Sequence, residues 1–310
     1  MIYLQLIRYK NLLLLALMQL IFRYGFLKQQ DGYLALADWQ YFLLVLSTVL
    51  LAAAGYVIND IFDQETDNIN RLEKVIVGKA ISESRAYNIY VVLNIIGVAI
   101  GFYLSNIIDK PSFATVFIFI AASLYFYATT LKKMLLLGNL LVAFILGLSV
   151  LIIGVFDLYP ATYDGNREKM TLLFKILTDY ALFAFVLNFI REIIKDCQDI
   201  KGDYNQGMQT LPIILGLNRT AKIIFGLLVI ANAIIFWYIN HHLMSFDLYY
   251  AVLYTFILVL GPLIYSLIKS WNAKTTKDFQ HLSLVLKWVI FFGIVSIAVI
   301  TYNIKTNANA

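Results

Sequence analysis

The sequence predicts an all-α membrane protein of nine spans, and three observations predict it. Of 310 residues, 61% are hydrophobic and 14% charged, against roughly a quarter charged in a soluble domain. The apolar residues come in blocks of about 20, the helix length that crosses about 30 Å of hydrocarbon. Basic residues sort to alternate connections between the blocks, as threading through a membrane requires. Backbone polar groups in lipid must be satisfied within the segment, and blocks this long and uniformly apolar do not alternate as barrel strands do, so the spans are helices.

The first block, at 11–27, follows Arg8 and Lys10. No small-residue cleavage site precedes the Asp31 loop, so it is read as a retained helix and not a signal peptide. Spans at 40–58, 86–106, 113–130, 135–156, 173–194, 220–240, 247–268 and 283–303 complete the set within a single domain, 1–310. With the N-terminus inside, seventeen of the 24 Lys and Arg fall inside; Arg23, Lys28, Lys110, Arg167, Lys169, Lys175 and Lys305 fall outside. This bias expects an inner, cytoplasmic membrane with the inside connections facing the cytoplasm. The net charge of +5 is thus a topology signal, not a polybasic run for nucleic acid. Cys197 is the single cysteine, and His241, His242 and His281 form no HExxH, which leaves no disulfide, multi-Cys zinc site or haem. His241 and His242 fall in an outside loop, Cys197 reads as a small buried hydrophobe, and the outside stretch 157–172, with Pro160 and Gly165, suggests no function.

Two inside connections are long, polar and acidic: a first Asp-rich loop at 59–85 and a second at 195–219. Asp60, Asp63, Glu65, Asp67 and Glu73 lie in the first, and Glu192, just before it, with Asp196, Asp199 and Asp203 lie at the second, nearly half of the 19 carboxylates. Both windows carry D-x-x-D-x-x-x-D, as Asp60, Asp63, Asp67 and as Asp196, Asp199, Asp203. On a helix these spacings put three carboxylates on one face, where they repel by a few tenths of a kcal/mol per pair. Asp at a helix end is common as a cap, but the same spacing twice on one side of the membrane points to a hard cation. Mg²⁺ takes one or two carboxylates and keeps positions for phosphate oxygens. Arg71, Lys74 and Lys79 follow the first cluster, and Lys195, Lys201 and Arg219 surround the second. Carboxylates for Mg²⁺ and cations for phosphate together suit an allylic diphosphate whose tail lies among the spans and whose departing charge the site stabilises.

The run Asn59-Asp60-Ile61-Phe62-Asp63, continuing through Asp67, Asn70-Arg71, Lys74, Gly78 and Ile81-Ser82, resembles the first signature of the UbiA superfamily of intramembrane prenyltransferases. Arg191-Glu192-Ile193, Lys195-Asp196, Asp199, Gly202-Asp203, Gly207 and Thr210-Leu211-Pro212-Ile213 resembles the second. The resemblance implies nine helices bundled around a central cavity open to lipid. It implies Asn59, Asp63, Asp67, Asp196, Asp199 and Asp203 as metal or metal-water ligands, with Asp60 beside them. Asp63, Asp67, Asp196 and Asp199 are then the catalytic candidates. Arg71 and Lys74 are expected to hold diphosphate oxygens, and Tyr125-x-Tyr127 with Lys132-Lys133 resembles a phosphate-contacting element. Asn11, three residues after Arg8, resembles an Arg-x-x-Asn of the family, although Tyr9 stands where a proline is usual.

The wording of both motifs is most similar to the branch that transfers geranylgeranyl from its diphosphate to the hydroxyl of geranylgeranylglyceryl phosphate, forming an ether. An acceptor phosphate needs a further cation, for which Arg191, Lys195 or Lys201 could serve. Prenylation of an aromatic quinone precursor or a chlorophyll-type acceptor is the alternative within enzymes. A cation-coupled transporter is the alternative outside them; its ion sites lie near the membrane midplane, whereas these carboxylates lie at one surface and the spans are nearly free of charge.

Overall fold

The computed structural model describes residues 1–30, 33–70 and 75–308. Among the described residues nine helices are long and apolar enough to cross a membrane: α1 Tyr9–Gln30, α2 Asp38–Phe62, α3 Glu83–Ile107, α4 Pro111–Thr129, α5 Leu137–Ala161, α6 Arg167–Asn205, α7 Leu217–Phe246, α8 Tyr249–Trp271 and α9 Thr276–Ala308. Each overlaps one of the nine expected blocks; α1, α2, α3, α6, α7 and α9 contain theirs and run past it, because a helix leaving hydrocarbon has no need to stop where its side chains turn polar, whereas α4 ends one residue short and α5 and α8 begin two residues late. The protein is an integral, multi-pass, all-α membrane protein.

The largest extension is in α6. Its 39 residues are about 58 Å long at 1.5 Å per residue, roughly twice the hydrocarbon thickness. Asp196, Asp199 and Asp203 therefore lie on a helix, not in a loop beginning at 195. The helix stops at Asn205, just before Gly207 takes a left-handed φ of 65° that favours a residue without Cβ. The first window is more broken. α2 ends at Phe62, Asp63 takes φ −94° and ψ 4°, and a short helix resumes over Gln64–Asn70.

Helices adjacent in sequence pack on one another, and α9 closes the ring against α1 and α6. Among the described residues two large apolar cores result, beside a smaller one around Val57, Ile58 and Ala86. One joins α1 to α5 and the first half of α6 around Phe22, Tyr41, Phe117 and Phe156. The other joins the second half of α6 to α7, α8 and α9 around Ile190, Leu228, Phe279 and Leu286. Association in lipid lacks a hydrophobic drive, so small residues that let backbones approach matter most. α2 and α3 meet through them: Ser47 donates to the Gly97 carbonyl at 2.7 Å. One turn on, a Cβ at Gly101 would stand 2.3 Å from the Phe117 ring of α4. The other side of α3 shows Val91, Val92, Ile95 and Phe102 outward, a surface that belongs against lipid.

The spans are not as free of charge as the sequence suggests. Arg23, expected among the outside-facing cations, is 1% exposed and pairs with Asp157 at 2.8 Å, itself 0% exposed. Arg23 also donates to the Leu36 carbonyl and lies 4.3 Å from the Tyr41 ring centre, while the Leu36 amide donates to Asp157 at 2.9 Å. Both charges sit in π turns, Ile21–Phe26 and Gly154–Leu158. A buried charge is tolerated when paired and hydrogen-bonded, and a partner 134 residues away leaves no local trace in sequence. Asp157 gives the 157–172 stretch a structural role at its start.

Candidate active site

A cavity of about 900 Å³ lies within the ring. Its polar wall comes from the parts of α1, α2, α6 and α9 nearest the acidic motifs, and includes Arg8, Lys10, Asn11, Asn59, Asp60, Asp67, Arg191, Glu192, Lys195 and Lys287. Deeper, along the same helices and α4, the wall is apolar and aromatic, with Phe22, Leu51, Leu124, Tyr180, Phe183 and Ile294.

Arg8 precedes α1 in the left-handed region, φ 51° and ψ 52°, a conformation costing a non-glycine residue about 1–2 kcal/mol. The kink carries its guanidinium to Asp60 at 2.8 Å and over the Tyr56 ring at 4.9 Å. Burial works against the Arg8 charge, but Asp60, Tyr56 and Asp63 outweigh it and hold its pKa above the ordinary value. Strain of this kind persists only where surrounding contacts over-determine it. One turn after Asn59, Asp63 accepts from the Asn59 amide at 2.6 Å and from the Lys132 ammonium. Neither Asp63 nor Lys132 is part of the cavity wall. Lys133 is exposed; it contributes its backbone carbonyl, which accepts from the Gln209 amide at 2.9 Å.

The second motif presents Arg191, Glu192 and Lys195 to the cavity, with Lys195 donating to Glu192 at 2.5 Å. Asp196 accepts from Asn139 of α5 at 2.8 Å. Asp199 and Asp203 follow on the same stretch of α6, and like Asp196 they are not in the wall. The two windows nevertheless converge. Tyr127 stands in the wall within electrostatic reach of Asp63, Glu192 and Asp196, and Gln206 donates to Glu65 at 2.8 Å. Arg71 and Lys74 lie outside the described residues.

Among the described residues no three His, Cys, Asp or Glu side chains gather into a closed metal cage. The Asn59 Oδ1 is buried without a hydrogen-bond partner, beside Asp60 and Asp67 on the wall. An unsatisfied oxygen beside carboxylates on an open cavity fits a hard cation that completes its coordination with water and substrate phosphate, as Mg²⁺ does.

Lys287, Asn139 and Glu65 were not singled out as functional from sequence. No motif marks the first two, and their positions follow only from how α9 and α5 pack against α1 and α6.

A helical ring around a cavity polar at one end and apolar along its depth defines a multi-pass membrane protein with a cavity of amphiphilic character. The model of the UbiA prenyltransferase family matches residues 20–302, so the chain belongs to that family and is a prenyltransferase. It is 35% identical over 254 residues to a digeranylgeranylglyceryl phosphate synthase of Saccharolobus solfataricus, covering 81% of this chain and 80% of that one. It is 30% identical over 263 residues to a protein of the same name from Methanobrevibacter smithii, covering 84% and 87%. The fold is shared with a solved digeranylgeranylglyceryl phosphate synthase at TM-score 0.64 and 24% identity, covering 98% of each chain. It is shared too with a UbiA homologue from Archaeoglobus fulgidus bound to GPP and Mg²⁺, at TM-score 0.57 and 15% identity over 96% and 99%.

Proposed function

We propose that this protein, acting as one catalytic unit, transfers a geranylgeranyl group from its diphosphate to the free hydroxyl of geranylgeranylglyceryl phosphate. The observation that carries the reading is the joining of residues from both duplicated motifs, Asn59, Asp60 and Asp67 with Arg191, Glu192 and Lys195, at the polar end of one lipid-sized cavity. The names of the 30–35% identical relatives support the choice of acceptor.

Asn59, Asp60, Asp63 and Asp67 of the first motif and Asp196, Asp199 and Asp203 of the second are the proposed oxygen donors for Mg²⁺, which when bound neutralises diphosphate charge. Arg8 and Lys132, held by Asp60 and Asp63, keep those carboxylates in place. Tyr127, Lys195, Arg71 and Lys74 are assigned to the diphosphate oxygens. The C1–O bond of the donor breaks with its electron pair leaving on diphosphate. The acceptor oxygen then bonds to C1 of the allylic cation and loses its proton. Tyr180 and Phe183 face the cavity, where π faces stabilise an allylic cation and walls exclude water. The positive-inside bias supports an inner membrane with this end of the cavity toward the cytoplasm.

Incubation of purified protein with geranylgeranyl diphosphate, Mg²⁺ and each acceptor in turn, read by product mass, tests this. The expected product is the diether phosphate. Product with an aromatic acid and none with the glyceryl phosphate overturns the assignment.

A further inference from the structure

Lys287 lies in the first half of α9, and neither acidic motif points to it. Its ammonium donates to Asn11 Oδ1 at 2.9 Å, and Arg191 and Lys10 are close enough to repel it. All four residues are in the cavity wall. Among the described residues, Lys10, Arg191 and Lys287 form no ion pair, and the neighbouring Glu192 is taken by Lys195. The Arg191 Nε is buried with no hydrogen-bond partner.

This differs in kind from the first motif, where Arg8 and Lys132 are each matched by a carboxylate. Cations matched by carboxylates suit a metal shared with diphosphate. Three unmatched cations on the wall of a partly desolvated cavity repel one another until an anion sits among them. Lysine and arginine donors without a carboxylate recognise phosphate directly, with no metal between. Ile290 and Ile294 stand three and seven residues beyond Lys287 on one face of α9 and continue the wall inward, so an anionic head at Lys287 has an apolar path for its chain.

We propose that Lys10, Asn11, Arg191 and Lys287 form a separate, metal-independent site for a phosphomonoester head, that of the acceptor lipid. The proposal rests on the reading that the acceptor carries a phosphate, and deepens it by placing that phosphate. Asn11 directs the Lys287 ammonium, and the two phosphorylated substrates enter on different sets of cations.

Calorimetric titration of the full chain in detergent tests it. The probes are geranylgeranylglyceryl phosphate, the same lipid without its phosphate, inorganic phosphate, and a non-reacting thio analogue of geranylgeranyl diphosphate with Mg²⁺. The wild type is expected to bind the phosphorylated lipid about ten-fold or more tightly than its alcohol, without Mg²⁺. Lys287→Gln and Lys10→Gln should bring that ratio toward one and leave the thio analogue within about three-fold, with Lys287→Arg retaining the preference. An unchanged ratio in Lys287→Gln, an absent preference in the wild type, or loss of the thio analogue in parallel overturns the proposal. Inorganic phosphate binding as tightly as the lipid phosphate overturns it in favour of a free-phosphate site. Binding is read without turnover, so an aromatic product in the acceptor panel would end the functional reading while leaving the phosphate preference to be judged by itself.

Discussion

Asp63 is held from two directions, by Asn59 one turn before it and by Lys132 after α4. Those contacts orient its carboxylate and do little for the apolar core. Asp63→Ala and Asp199→Ala are therefore expected to lower kcat/KM by about 100-fold or more, the scale for a disrupted metal site. Elution as a monodisperse species in detergent should be unchanged, and full activity in both variants would contradict the metal assignment. Excess EDTA is expected to stop turnover and added Mg²⁺ to restore it; activity that survives chelation would count against divalent-metal dependence. The aspartates were conspicuous because a costly spacing occurs twice, and repetition is visible in a string of letters. Lys287 was not, because a lone lysine gains meaning only from Asn11 and Arg191, brought to it by folding.

At the scale of elements, all nine spans were legible, since length and apolarity are local properties. Where polarity begins and helix ends are separate matters, and α6 shows it: the side chains turn polar near 195 while the helix continues to Asn205. Which helices touch was not legible, because in lipid the inner and outer faces are both apolar. Small residues mark the contacts instead. Gly101→Leu is expected to push the Phe117 ring aside, opening the α3–α4 contact at a cost of about 1–3 kcal/mol. Thermal melting in detergent should fall by several degrees relative to Gly226→Leu, since no atom lies within 4 Å of a Cβ at Gly226. Equal melting of the two variants would remove the close-approach argument.

For the whole molecule, the Arg23–Asp157 pair ties α1, the start of α2 and the end of α5 together at the end of the bundle opposite the acidic motifs. Asp157→Ala leaves the buried guanidinium only the more distant, exposed Asp38 at 3.4 Å as counter-charge and is expected to destabilise by about 3 kcal/mol, the lower end for a broken buried pair. Arg23→Met combined with Asp157→Leu should recover most of that loss, as seen by melting, because an apolar pair of similar volume leaves no orphaned charge. Failure of the double variant to recover would show that the Leu36 hydrogen bonds, and not the charges, hold this corner.

The cavity joins two media. Its polar end lies where α6 leaves the hydrocarbon, and its depth is lined by groups that prefer lipid. On the proposed reaction the two products part in opposite directions at that boundary, the diphosphate into water and the ether into the bilayer. Each departure would then answer to a different reservoir, so a rise in free diphosphate and a crowding of the membrane with product are expected to slow the proposed transfer independently.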